Sequence, residues 1–231
     1  MLIAEIGQNH NGNMRLAREL IGAAKDCGAD VAKFQVFDAR RLFSRSGNPW
    51  YEYNLSTELR RDQVEELAEL CDDIGIEFMA SAFDPLRVSW LEDVGVHTHK
   101  IASRSINDDE LLQAVAATGK DAIVSLGMWE GSDRPVLPIT APVHFLHCVS
   151  QYPTPLDAVK LAQVDFTNLA GFSDHTVGCS AAFVAIARGA RIIEKHFTLD
   201  KSMYGPDHAG SADPDDLRAI ADFMREARQC L

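Results

Sequence analysis

The sequence has no closely spaced pair of cysteines. Its five, Cys27, Cys71, Cys148, Cys179 and Cys230, are odd in number and scattered. That argues against a disulfide framework or a thiolate zinc site and points to reduced thiols in a cytoplasmic protein. Positive charge is also scarce: 22 lysines and arginines face 34 aspartates and glutamates, a formal charge of −12. A non-specific nucleic-acid surface needs the opposite balance, although a few converging lysines can still bind a small anion. The N-terminus, Met1-Leu2-Ile3-Ala4-Glu5, has neither the basic n-region nor the long apolar run of a signal peptide. The most apolar stretch, Ala181 to Ala187, is too short to span a bilayer. Low-complexity segments, linkers and solenoid repeats are missing too, so residues 1–231 are expected to form one domain with no membrane partner.

What is present is ordinary globular material, 46% hydrophobic and 24% charged, enough for a large core. Gly28, Gly75, Gly95, Gly119 and Gly189 each follow a helix-like stretch and stand just before a short apolar run, as glycine does where a helix closes. These runs predict strands over Asp30–Val36, Ile76–Ala80, Thr98–Ala102, Asp121–Leu126 and Arg191–Lys195. Leu2–Ile6, Val143–His147 and Leu169–Phe172 bring the number to eight. Helices are predicted over Met14–Cys27, Thr57–Ile74, Pro85–Val94, Asp108–Thr118, Leu156–Gln163, Gly178–Arg188 and Pro214–Arg228, the last capped by Asp213. Alternating strands and helices mean a parallel sheet, and eight such units favour closure into an α/β TIM (β/α)8 barrel. Between Leu126 and Val143, Pro135, Pro138 and Pro142 leave no room for a helix, so a loop is expected in place of the fifth.

In such barrels the active site lies at the C-terminal ends of the strands, and here those ends are polar. Lys33 and Gln35 share one face of strand two. A buried lysine is costly without an anion, so Lys33 and Lys100 point to a phosphate or carboxylate ligand, helped by the hydroxyls of Ser81, Ser103 and Ser173. The alternative is that each lysine reaches solvent or pairs with Glu5 or Glu194. His175 and His196 end adjacent strands, so their imidazoles can converge on one divalent ion and leave positions open for substrate oxygens. Glu194, on the same strand face as His196, is placed to act as base, supporting partner or third ligand. His97, His99 and His144 stand near strand starts and read as structural. The Gly7/Gly12 segment is not a dinucleotide or Walker motif and reads as a tight turn.

The stretches Ile3-Ala4-Glu5-Ile6-Gly7-Gln8-Asn9-His10-Asn11-Gly12, Val31-Ala32-Lys33-Phe34-Gln35, Lys100-Ile101-Ala102-Ser103, Leu146-His147-Cys148, Tyr152-Pro153, Phe172-Ser173-Asp174-His175-Thr176, Glu194-Lys195-His196-Phe197-Thr198 and Gly205-Pro206-Asp207-His208 occur in order. Together they resemble the sialic acid synthase (N-acetylneuraminate synthase) family from Ile3 to about Leu217. The resemblance implies condensation of phosphoenolpyruvate with an open-chain N-acylated amino-hexose, giving a nine-carbon 2-keto acid and phosphate. It implies a divalent ion, manganese or magnesium, on His175 and His196. Lys33, Ser81, Lys100, Ser103, Ser150 and Ser173 would hold phosphoenolpyruvate, with Glu5, Gln35, Tyr152 and Asp207 facing the sugar. Lys100 and one of the carboxylates Glu5 and Glu194 would carry the catalysis.

The sequence departs from the family in three ways. Ser105, preceded by Arg104, stands where the family has an acidic residue, so Arg104 is a candidate to adapt the pocket to a different sugar. The fifth helix is deleted, with Trp129 placed to close the shorter loop. No C-terminal antifreeze-like domain is expected; relatives dimerise by swapping it, so a homodimer here would use another surface, such as the apolar strand face that a missing helix exposes. The competing classes are a metal-dependent sugar-phosphate aldolase or isomerase, and a non-catalytic ligand-binding barrel of the same family.

Overall fold

Strand alternation builds the barrel. In the computed structural model, which describes residues 1–230, eight parallel strands close on themselves in the order β1 to β8. They are β1 (Leu2–Gly7), β2 (Val31–Val36), β3 (Glu77–Ala82), β4 (Thr98–Ile101), β5 (Asp121–Ser125), β6 (Val143–Cys148), β7 (Gly171–Asp174) and β8 (Ile192–His196). Each predicted strand is present, within two residues at either boundary. The inward-facing side chains rise in layers, because residues two apart share a face. An apolar plug of Ile3, Val31, Met79, Ile123, Leu146 and Ile192 fills the lower barrel. The residues two positions further along β1, β2, β3, β5 and β8 are Glu5, Lys33, Ser81, Ser125 and Glu194, so the next layer up is polar. Outward-facing residues such as Ala4, Phe34, Phe172 and Ile193 join the larger core beneath the helices.

The helices are α1 (Met14–Asp26), α2 (Ala39–Leu42), α3 (Tyr51–Ser56), α4 (Arg61–Ile74), α5 (Pro85–Asp93), α6 (Asp109–Thr118), α7 (Ser180–Ala187) and α8 (Pro214–Cys230). Local chemistry starts several of them. Asn13 caps α1 through the amides of Arg15 and Leu16, and Asp84 caps α5 ahead of Pro85 at the first turn. Asp213 accepts from the Asp216 amide at 3.0 Å, as expected for α8. No helix among the described residues is long and apolar enough to cross a membrane.

Two expectations are corrected. The helix predicted over Thr57–Ile74 begins only at Arg61. Thr57 instead closes the separate α3, its hydroxyl donating to Gln8 Oε1 at 2.6 Å. The helix predicted over Leu156–Gln163 shrinks to a single 3-10 turn at Leu161–Gln163, because Lys160 before it takes a left-handed φ of 45° that no α-helix accommodates. Two outer helices are therefore missing, since the segment between β5 and β6 is a loop as predicted. Between these two connections lies a groove of about 1250 Å³. Trp129 lines that groove and donates to Asp133 O at 2.6 Å, a bond within the shorter loop that closes it on itself, as expected.

Candidate active site

The polar layer is a charged floor. Register pairs Glu5 with Lys33 across β1 and β2, and Glu5 with His196 across β1 and β8. Lys33 Nζ lies 2.6 Å from Glu5 Oε2 and 3.5 Å from Glu194 Oε2, and donates to Ser81 Oγ at 3.2 Å. Lys100 Nζ donates to Ser125 Oγ at 2.8 Å and lies 3.6 Å from Glu194 Oε1. Ser173 Oγ donates to the same Glu194 oxygen at 2.7 Å. All four ionised side chains are at least 92% buried. The alternative of pairing with Glu5 and Glu194 thus holds for both lysines, and the layer sums to neutral.

The two lysines are not equivalent. Burial disfavours the Lys33 cation, but Glu194 and Glu5 outweigh it and raise its pKa. Burial also works against Lys100, and although Glu194 opposes it, the Lys33 charge adds to it, so its pKa falls. Burial pushes Glu194 towards protonation, yet Lys100, Lys33 and the Ser173 hydroxyl hold it down at about 2. Lys100 is therefore the cation whose charge is least balanced, and the one with most to gain from an anion.

Above the floor is a pocket of about 550 Å³ whose lining includes Gln35, Ser103, Ser150, Tyr152, His196 and Asp207. Gln35 Nε2 donates to Glu5 Oε1 at 2.7 Å, tying the pocket to the floor. Ser150 Oγ is buried without a hydrogen-bond partner, which leaves it free for a ligand. His175 and His196 have ring centroids 5.7 Å apart, with the Tyr152 ring 4.1 Å from His175 and 6.0 Å from His196. His175 Nδ1 donates to Val149 O at 2.9 Å, which leaves Nε2 with its lone pair. His196 Nδ1 is buried with no partner. Two free imidazole nitrogens on adjacent strand ends fit a divalent ion that keeps open positions. Among the described residues no group of three or more His, Cys, Asp and Glu could hold a metal. Glu194 therefore belongs with the lysines and does not join the histidines as a third ligand.

Several contributors were not singled out from the sequence. Ser125, which ends β5 as Ser81 nears the end of β3, holds Lys100; the same strand-end signal identifies it once the strand stops one residue before Leu126. Cys148 receives the Ser103 hydroxyl at 3.5 Å. Gly127 donates its amide to Ser103 Oγ at 3.0 Å, and a Cβ there would lie 2.4 Å from Ser150 Oγ and 2.9 Å from Cys148 Sγ. Gly127→Ala is accordingly expected to cost ~1–3 kcal/mol by overpacking, read as a lower denaturant midpoint; an unchanged midpoint would contradict this close approach. Gly12, at φ 70°, would bring a Cβ 2.2 Å from Ser56 O, so the β1 turn is a close backbone crossing. His147 leaves the site altogether, stacking on Phe172 and reaching Val159 O.

The fold and its polar strand ends place the chain among the (β/α)8-barrel proteins, which work at that face. Comparison narrows the class. A model of the NeuB family matches residues 20–231, and the chain belongs to that family. An uncharacterised protein of Methanocaldococcus jannaschii is 40% identical, covering 100% of this chain and 71% of its own. The N,N'-diacetyllegionaminic acid synthase of Legionella pneumophila is 35% identical over 258 residues, covering 100% of this chain and 72% of its own. Since 258 exceeds the 231 residues here, that relative carries internal segments that this chain lacks. The crystal structure of N-acetylneuraminic acid synthetase from Leptospira borgpetersenii in complex with citrate superposes with a TM-score of 0.88 at 32% identity, covering 99% of this chain and 84% of that one. The relatives named for their activity are sugar-acid synthases.

Proposed function

We propose that the protein condenses phosphoenolpyruvate with an N-acylated amino-hexose in its aldehyde form, giving a nine-carbon 2-keto acid and inorganic phosphate. The observation that carries this reading is the floor. Two lysines are buried there among serines, under a pocket large enough for a second, polar substrate. The synthase names of the relatives support the same reaction class.

In this reading Lys33 and Lys100 bind the phosphate and carboxylate of the donor through charge-assisted hydrogen bonds, with Ser81, Ser103, Ser150 and Ser173 completing the cradle. Gln35, Tyr152 and Asp207 orient the acceptor. A divalent ion, manganese or magnesium, held by His175 and His196 would supply polarisation of the aldehyde oxygen. The bond formed joins C3 of phosphoenolpyruvate to the aldehyde carbon, whose oxygen takes up a proton. Water then adds at C2, and one of the two carboxylates Glu5 and Glu194 takes the proton that this water loses. Cleavage of the bond between C2 and the phosphate oxygen leaves the 2-keto acid and phosphate, with one water consumed. Glu5, bonded from Gln35, faces the acceptor side of the same centre.

Phosphate release decides between the classes. With manganese or magnesium present, release from phosphoenolpyruvate is expected only after an N-acyl-mannosamine or a related amino-sugar is added. Turnover of a sugar phosphate without phosphoenolpyruvate would favour the aldolase or isomerase class. Tight phosphoenolpyruvate binding with no release across a panel of amino-sugars would favour the non-catalytic barrel.

A further inference from the structure

The condensation reading leaves most of the turn after β1, Gln8-Asn9-His10-Asn11-Gly12, without a role. Asn9 and Asn11 do not line the upper pocket. Both bond instead to the segment that follows β8. Asn9 Nδ2 donates to Phe197 O at 2.9 Å and to Ser211 Oγ at 3.0 Å. Asn11 Oδ1 accepts from His208 Nε2 at 3.1 Å and from the Tyr53 hydroxyl of α3 at 2.7 Å. An amide oxygen can only accept, so the proton of His208 sits on Nε2. Its Nδ1 then accepts from the Thr198 hydroxyl at 2.7 Å. Asn9, Thr198 and His208 are fully buried. Burial lowers the His208 pKa, with Asp207 and Asp200 acting the other way, which suits a neutral ring. Asn11 holds a left-handed φ of 52°, a conformation that a residue with a side chain keeps where its surroundings fix it.

Asp207 lies between these two anchors. Its main-chain carbonyl accepts from the Ser211 hydroxyl at 2.7 Å and from the Gly210 amide at 3.1 Å. No hydrogen bond or ion pair among the described residues holds its carboxylate, and the residue lines the upper pocket. The direction of that carboxylate is therefore set through its backbone, and both anchors of the backbone run to the β1 turn. The chain entering Asp207 is packed just as closely. A Cβ on Gly205 would lie 2.7 Å from Tyr53 Oη and 2.8 Å from His208 Cδ2.

We infer that His208 and Asn11 are positioning residues that aim the Asp207 carboxylate at the acceptor sugar. This rests on the condensation reading above and assigns the β1 turn to the acceptor side of the site. A merely structural clamp would behave differently: its loss would lower stability and weaken donor and acceptor alike.

The test measures both KM values by phosphate release, with manganese, phosphoenolpyruvate and an N-acyl-mannosamine. His208→Leu is expected to raise the acceptor KM about 10- to 100-fold, as a small misplacement of a positioning group can. The KM for phosphoenolpyruvate should stay within about threefold of the parent. His208→Gln, whose amide nitrogen can still donate to Asn11, should recover most of the loss. Asn11→Gly keeps the left-handed turn but removes the acceptor, and should also raise the acceptor KM alone. In an Asp207→Asn background His208→Leu should add little, because its action runs through that carboxylate. An acceptor KM at the parent value in His208→Leu overturns the inference, as does an equal rise in both KM values or a full further loss in the Asp207→Asn background. If His208→Leu fails to fold, the acceptor KM of Asn11→Gly decides in the same way. A parent that turns over with these variants unchanged removes this inference alone; a parent that releases no phosphate with any amino-sugar removes the condensation reading along with it.

Discussion

Lys195→Met is expected to destabilise the barrel by ~3–5 kcal/mol, the cost of leaving one member of a buried ion pair alone. Lys195 and its register partner Asp174 are both fully buried on the outer face of β7 and β8. Lys195 Nζ donates to Asp174 Oδ2 and to Thr176 O, each at 2.8 Å, and Asp174 Oδ1 accepts from the Thr176 amide at 2.8 Å. His175 sits inside this clamp and His196 follows Lys195 directly, so the pair fixes the backbone that carries both imidazoles. Combining Lys195→Met with Asp174→Leu should recover a large part of the loss, because replacing both charges leaves neither unpaired. Guanidinium unfolding midpoints at constant m-value read both effects. A single variant within about 1 kcal/mol of the parent would show that the clamp carries little.

The second large effect concerns Lys100. Lys100→Met is expected to lower kcat/KM for phosphoenolpyruvate about 10²- to 10³-fold, as removal of one stabilising group in a water-poor site commonly does. The pH dependence follows from the direction of its shift. Burial lowers the Lys100 pKa below its ordinary 10.5; Glu194 opposes this, and Lys33 reinforces it. The cation is the form that binds an anion. Affinity should therefore be constant at lower pH and fall as pH rises through the lowered value. Bound anion favours the cation, so binding near that pH should take up protons, seen as a calorimetric enthalpy that changes with the ionisation enthalpy of the buffer. Lys100→Arg keeps its charge and should move the fall to higher pH. A pH profile identical in the parent and Lys100→Arg would remove Lys100 from this role.

Much of the site was legible because strand alternation is a rigid rule. Once Ile192–His196 reads as a strand, Glu194 and His196 must share its inner face and Lys195 must point out, and likewise Lys33 and Gln35 on β2. The prolines between Leu126 and Val143 marked a missing helix for a local steric reason. What stayed hidden depended on contacts between distant segments. Leu156–Gln163 has enough apolar residues for a helix, but nothing in its pattern reveals the left-handed Lys160. The aim of Arg104 depends on Phe43, far away in sequence. The division of Lys33 from Lys100 depends on which carboxylates each reaches across the barrel, which spacing along one strand cannot give.

The central claim is that the lysine floor and the pocket above it join phosphoenolpyruvate to an amino-sugar aldehyde. Product stoichiometry tests it most directly: the parent protein, manganese, phosphoenolpyruvate and an N-acyl-mannosamine or its 6-phosphate, with phosphate and the new acid quantified together by mass spectrometry. The account predicts one phosphate for each nine-carbon 2-keto acid, and neither product when the sugar is left out. Phosphate released at the same rate without the sugar, or sugar consumed without phosphoenolpyruvate, would contradict it.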